Sequence, residues 1–370
     1  MAKFIWQKQD WPNLRWRPEE LVSVLAEAAF KHGAFLRELG LIGFDLGTEA
    51  GFESLSREIV ASAAIEGEVL NLGSVRSSVA RRMEIVLKDG KPVAGGHDLE
   101  ARVDMMMDAT RGWQEKMTLK RLKAWHAALF PTGYSGLVKI AAGKLRDDSE
   151  GPMRVVSRYG NLERIHFEAP PARTLKGEVT SFLAWLAADR SPVLVKAALA
   201  HLRFLTLHPF EDGNGRIARA LTEYLLAGAE KSSLRFYSLS AQIQKEKDAY
   251  YDEIEHAQRG EIDVTRWVGW FLGMFCRAID GARVSLDAIL AKARFWQEHA
   301  TTDLNDHQRM MLNLLLDGFD GNLTSSKWAK ICKVSQDTAS REIKSLLNRG
   351  ILRQEGQGRS THYLIAGFRT

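Results

Sequence analysis

A chain of 370 residues and 41.5 kDa is longer than one hydrophobic core usually serves, so two or three domains are expected. Hydrophobic residues at 45%, charged residues at 26% and only 9 prolines exclude a disordered or fibrous chain and predict a folded, helix-rich one, while a net charge of +5 suits phosphate ligands without demanding them. Two cysteines, Cys276 and Cys332, exclude a disulfide framework and a thiolate metal cluster and point to a reducing cytoplasm; no apolar leader and no run of about 18 apolar residues is present, so neither export nor a membrane span is expected.

After an aromatic opening (Trp6, Trp11, Trp16), a helix is expected from Pro18, with Leu21, Val24, Leu25, Ala28 and Ala29 on one face. A second helix covers about Glu53 to Glu66 and stops at Gly67, and a third, basic and amphipathic, runs from about Ser74 to Ile85. The turn formers of Lys88 to Gly96 read as the loop before the main domain. Helical periodicity resumes through Trp113 and again from Leu119 to Phe130. Arg154 to Ser157 and Arg164 to Phe167 flank Tyr159-Gly160-Asn161 as extended runs, which predicts a β-hairpin ended by Pro170-Pro171. Helices then follow over Leu175 to Ala188, Pro192 to Leu207, Gly215 to Ala229, Gln242 to Ala257 and Trp267 to Leu290. Beyond about Ala293 a separate module is expected, with helices over Asp306 to Leu316, Ser325 to Ile331 and Ser335 to Arg349. It closes on two strands, Ile351 to Arg353 and His362 to Ile365, around Gly356-Gln357-Gly358. The fold class is mainly α, divided as 1–87, 88–292 and 293–370.

The informative string is His208-Pro209-Phe210-Glu211-Asp212-Gly213-Asn214-Gly215-Arg216-Ile217-Ala218-Arg219. Pro209 disfavours helical geometry in the residue before it, which puts His208 at a helix-to-loop corner. Gly213 and Gly215 let backbone N–H groups turn inward just where a helix begins, an anion-binding nest whose expected guest is phosphate. Arg216 and Arg219 lie on one side of that helix's first turn, and two arginines suit a polyphosphate. A carboxylate beside such a nest, Asp212, is repulsive unless a divalent cation lies between, which implies ATP with Mg²⁺ or a similar ligand. His208, largely neutral at cellular pH, can take a proton from an attacking hydroxyl, so the chemistry is phosphoryl or nucleotidyl transfer. A dinucleotide fingerprint on Gly213 and Gly215 is rejected because a helix, not a strand, precedes it.

At every fixed position these twelve residues resemble the signature of the Fic family of protein adenylyltransferases. The resemblance implies a mainly α, Fic-type helical core with a β-hairpin flap. His208 is then the base, Asp212 the Mg²⁺ ligand, and Gly213, Asn214, Gly215, Arg216, Ile217, Ala218 and Arg219 the nucleotide-binding stretch. Ser62-Ala63-Ala64-Ile65-Glu66-Gly67 resembles the family's inhibitory motif in its N-terminal placement, which implies that Glu66, with Ser62, engages Arg219 and keeps the γ-phosphate from it. By the same resemblance Ile165, His166, Phe167 and Glu168 of the flap lie over the nucleotide, and the flap edge pairs with a target protein. Tyr250 and Tyr251 align with an adenine-contacting position, and Gln258 adds a polar contact to the base.

The tail is similar to a winged helix-turn-helix, with Ser335, Gln336, Thr338, Ser340, Arg341 and Lys344 able to face DNA. Between Thr301 and Thr370, ten Lys/Arg against seven Asp/Glu is a modest surplus, which leaves protein docking or homodimer formation as open as DNA binding. The expected activity is AMP transfer from ATP to Ser, Thr or Tyr hydroxyls of proteins, this one included, restrained by Glu66. Removal of AMP at the same site, or a DNA-binding regulator with a nucleotide-sensing core, are the alternatives.

Overall fold

The structure is a computed structural model, in which residues 3–40, 44–85, 95–159, 162–319 and 321–367 are described. Most of the loop expected at Lys88 to Gly96 lies outside them, as do Gly160 and Asn161 of the hairpin turn. Apolar residues at three-to-four spacing dominate the sequence, and the elements are accordingly helical. The N-terminal helices are α1 (Pro18–Gly40), α2 (Phe44–Ile65), α3 (Leu72–Met83), α4 (His97–Arg111) and α5 (Leu119–Leu129). Two small antiparallel hairpins follow, β1 (Tyr134–Ser135) with β2 (Val138–Lys139) and β3 (Arg154–Tyr159) with β4 (Leu162–Glu168). The chain returns to helices with α6 (Ala172–Ala188), α7 (Val193–Leu207), α8 (Asn214–Glu230), α9 (Leu239–Lys245), α10 (Lys247–Arg259) and α11 (Thr265–Glu298). It ends with α12 (Asp306–Leu316), α13 (Ser325–Cys332), α14 (Gln336–Asn348) and the hairpin of β5 (Leu352–Glu355) and β6 (His362–Ile365). Among the described residues no helix is long and apolar enough to cross a membrane.

Two compact units divide the chain, residues up to Val284 and residues from Ser285. In the first, α7 is its most buried stretch and packs along α8; α4 and α2 pack on α8, and α2 also packs on α3 and α9. The second has its own core of Met311, Leu312, Trp328, Ala339, Ile343 and Leu346 beneath β5 and β6. Within it Glu342 is buried yet satisfied, accepting from Trp328 Nε1–H at 2.7 Å and from Asn305 Nδ2–H at 3.0 Å.

Two local readings are corrected, and one short hairpin was not expected. The helix expected over Gln242 to Ala257 is two helices, because Glu246 leaves helical geometry (φ −115°, ψ 29°) where its carboxylate pairs with Arg277 at 2.6 Å; no Gly or Pro marks that break. The helix expected from Glu53 begins at Phe44. Gly47 and Gly51 argue against it in sequence, but α2 runs close to its neighbour at Gly51, where an added Cβ would stand 3.2 Å from Leu234. The short β1–β2 hairpin has too few residues to show a pattern of alternation.

Candidate active site

The second half of α7 is buried throughout and ends on His208, which takes the left-handed conformation (φ 46°, ψ 57°) while its N–H still donates to Phe204 O at 3.0 Å. The loop after it is held from within. The Phe210 ring is buried and stacked on His126, centroids 4.2 Å apart and planes at 6°. The Asn214 side chain accepts from Phe210 N–H at 3.1 Å and donates to Phe210 O at 2.8 Å. That amide was expected at the nucleotide; it is spent on the loop, so Asn214 offers a ligand its backbone.

Arg146, which no sequence pattern singles out, braces the loop from below. Its Nε–H donates to His208 O at 2.7 Å, its backbone N–H to Pro209 O at 3.0 Å, and its guanidinium also to Pro170 O and to Asp148 Oδ1 at 2.9 Å. Burial and the Arg146 charge push the His208 pKa down to about 4, so the imidazole is neutral at pH 7. The ring's Nδ1 lies 3.4 Å from Leu205 O, an atom that can only accept. The hydrogen therefore belongs on Nδ1, which leaves the Nε2 lone pair free to take a proton.

Gly213 (φ 77°) precedes α8, and no side chain caps the helix, so its first N–H groups form an uncapped nest. Asp212 stands beside it with its side chain 41% exposed. Burial works against its charge, but the Ser135 hydroxyl at 2.6 Å, Arg216 and the Gly213 N–H hold its pKa below the usual value. Among the described residues no group of three or more His, Cys, Asp or Glu could hold a metal. An ionised carboxylate beside an anion nest instead fits Mg²⁺ shared with ligand phosphates.

The two arginines are already engaged. Arg219, 2% exposed, donates from Nε to Ser62 Oγ at 2.9 Å, and from NH2 to Ser62 O at 2.9 Å and Glu66 Oε1 at 2.8 Å. Burial alone would lower the Arg219 pKa; the Glu66 carboxylate together with Tyr250 and Tyr251 offsets that, and it is raised. Glu66 reaches this place because α2 ends in a left-handed glycine turn: Gly67 (φ 81°) donates to Ala64 O and Glu68 N–H to Ala63 O. A Cβ on Gly215 would collide with Glu66 Oε1, so the carboxylate sits over the nest itself. Glu68, from the same turn, accepts from Arg216 NH1 at 2.7 Å and from Arg102 of α4.

Ile217 and Ala218 are fully buried and face the core. Tyr250, expected at adenine, is buried: its hydroxyl donates to His201 Nε2 at 2.8 Å, and the His201 Nδ1–H donates to Thr222 Oγ1 at 3.0 Å. The aromatic face open to solvent belongs to Tyr251, 42% exposed, whose hydroxyl donates to Ile65 O at 3.4 Å; Gln258 is buried. In the flap, Ile165 is half-buried and His166 is held between Glu255 at 2.5 Å and Ser157 at 2.8 Å. The Phe167 ring turns inward onto Phe4, centroids 5.2 Å apart, so its ring is not open to solvent. Glu168 pairs with Arg154 at 2.8 Å.

Residues 116–226 match the model of the Fic/DOC family, and residues 4–85 match a domain of unknown function, DUF4172. Over those stretches the chain is similar to the Fic/DOC family and, ahead of it, to DUF4172. Curated relatives include a protein adenylyltransferase Fic of Culex quinquefasciatus, 28% identical over 219 residues, covering 57% of this chain and 38% of that protein. A uridine 5'-monophosphate transferase of Xanthomonas campestris pv. campestris is 28% identical over 136 residues, 31% of this chain and 22% of that protein. The chain thus spans less than half the length of these relatives. A crystal structure of a Fic family protein from Desulfovibrio desulfuricans shares the mainly helical fold with its small hairpins (TM-score 0.56, 22% identity), covering 97% of this chain and 99% of that one. His208 to Arg219 and the flap hairpin lie within the stretch that matches the Fic/DOC model, and Ser62 and Glu66 within the stretch that matches DUF4172.

Proposed function

We propose that this protein transfers AMP from ATP to hydroxyl groups of proteins, its own included, and that Glu66 restrains the reaction. The observation that carries the reading is the pairing, in one loop, of an uncapped α8 N-terminus flanked by arginines with an imidazole kept neutral by burial. The attacking hydroxyl forms a bond to the α-phosphorus and passes its proton to His208 Nε2, while the bond to the β-phosphate oxygen breaks and pyrophosphate leaves. Mg²⁺ bound by Asp212 and the phosphates would neutralise the charge gathering on the departing pyrophosphate. The α8 N–H groups and Arg216 hold the polyphosphate chain, and Arg219 joins them once Glu66 releases it.

Tyr251 supplies the exposed aromatic face for the base, and an extended target segment adds to the flap hairpin. The domain division 1–87, 88–292 and 293–370 is retained, with the third part read as a winged helix module. Its exposed Ser335, Gln336, Ser340, Arg341 and Lys344 offer a surface for DNA or for a second copy of the chain. One relative is named a uridine 5'-monophosphate transferase, which favours testing UTP beside ATP as donor.

With labelled ATP and UTP, Glu66→Gly is expected to incorporate AMP at least about tenfold faster than the unaltered chain, since one charge-assisted contact is released to the phosphates. His208→Ala in that background is expected to lose about a hundredfold or more. Transfer that survives His208→Ala, or a Glu66→Gly protein that incorporates no nucleotide, overturns the reading.

A further inference from the structure

Glu68 does to Arg216 what Glu66 does to Arg219, and it brings in a third arginine. Its Oε1 accepts from Arg216 NH1 at 2.7 Å and its Oε2 from Arg102 NH1. The Arg216 side chain is buried (4% exposed) and that of Arg102 largely so (14%), and the Nε–H of each has no hydrogen-bond partner among the described residues. Two poorly solvated cations this close repel, and the Arg102 charge acts on Arg216 in that sense, so an anion between them stabilises the pair. One carboxylate leaves guanidinium donors unused, which a phosphate, with more oxygens, can satisfy. The uncapped N–H groups of α8, on whose first turn Arg216 stands, favour an anion beside that turn, where the Glu66 carboxylate already lies over Gly215. Arg102 lies between the stretches matched by the two family models, 4–85 and 116–226.

We propose that Arg102 is a third arginine of the polyphosphate site, and that the Glu68 carboxylate occupies, in the resting chain, the place that a phosphate of the nucleotide takes on binding. This rests on the reading of the site as one for a nucleoside triphosphate. Glu66 and Glu68, projected from one glycine-capped turn, then form a double latch: one holds Arg219, the other Arg216 and Arg102. Removing Glu66 alone frees one of the three.

The test is calorimetric titration of ATP with Mg²⁺, and of inorganic tripolyphosphate, into three full-length proteins: Glu66→Gly, Glu66→Gly with Glu68→Gln, and that double variant with Arg102→Ala. Neutralising Glu68 is expected to tighten both probes about tenfold, the worth of a charge-assisted contact. Arg102→Ala should cancel the gain and raise KM for ATP more than it lowers kcat, and Arg102→Lys should restore part of it. Glu68→Asp, too short to bridge both arginines, serves if the Gln variant unfolds. Unchanged affinity on altering Glu68, or a gain that survives Arg102→Ala, overturns the proposal even if AMP incorporation by Glu66→Gly persists. Probe binding that follows the expected order with no AMP incorporation in any variant supports this site and sinks the transfer reading instead.

Discussion

His208 owes its neutrality to burial rather than to the ordinary pKa of imidazole, and this has a kinetic signature. With its pKa pushed down to about 4, the base form persists well below the pH at which a solvated histidine would protonate. The kcat/KM profile of the Glu66→Gly protein should therefore show its acid limb near pH 4, with no inflection near 6.5. An acid limb at 6.5 that vanishes in His208→Ala would mean that the ring is solvated in the free enzyme. Arg146 is a positioning residue here: it touches the backbone of His208 and Pro209, and its charge helps depress the ring's pKa.

On the proposed function, the turn that ends α2 is the element on which restraint depends. Its left-handed Gly67, at φ 81°, aims Glu66 at Arg219 and Glu68 at Arg216, against the preference of a helix C-terminus for positive charge. The arginines supply that charge. Gly67→Ala meets no steric neighbour and suffers only from the backbone conformation, a cost of about 1–2 kcal/mol. The expected outcome is a lower unfolding midpoint together with higher basal AMP incorporation, as both carboxylates lose their aim. A lower midpoint with unaltered turnover would show that the turn stabilises α2 without gating the site.

Across the first unit, buried histidines set the response of stability to acid. His126, His201 and His208 stand at about 4, 3 and 4, against an ordinary 6.5, chiefly because burial disfavours the cation. Their unfolded forms bind protons first as pH falls, so the stability they contribute is complete above 6.5 and is lost as pH drops toward 4. Glu223 acts in the opposite direction: burial raises it to about 7 despite Arg235, so its contribution is complete below 4.5 and is lost as pH rises through 7. Three groups outweigh one, and the thermal midpoint should fall steadily between pH 6.5 and 4. His201→Asn should make that slope shallower; an unchanged slope would mean that His201 is not buried as neutral imidazole.

Much of this was legible along the chain, because the signals are local. Helix existence followed from apolar spacing, the corner at His208 from Pro209, the nest from Gly213 and Gly215, and the turn after α2 from Gly67. The meeting of Glu66 with Arg219 was expected only through the family resemblance, and folding alone decided that Glu68 meets Arg216. It also turned Tyr250 inward and left Tyr251 exposed, because the hydroxyl of Tyr250 finds His201 on α7. Arg102, Ser135 and Arg146 carry no pattern of their own. Local preferences follow the order of residues along the backbone, whereas long-range pairing of buried charge depends on which helices pack together, and no single segment encodes that.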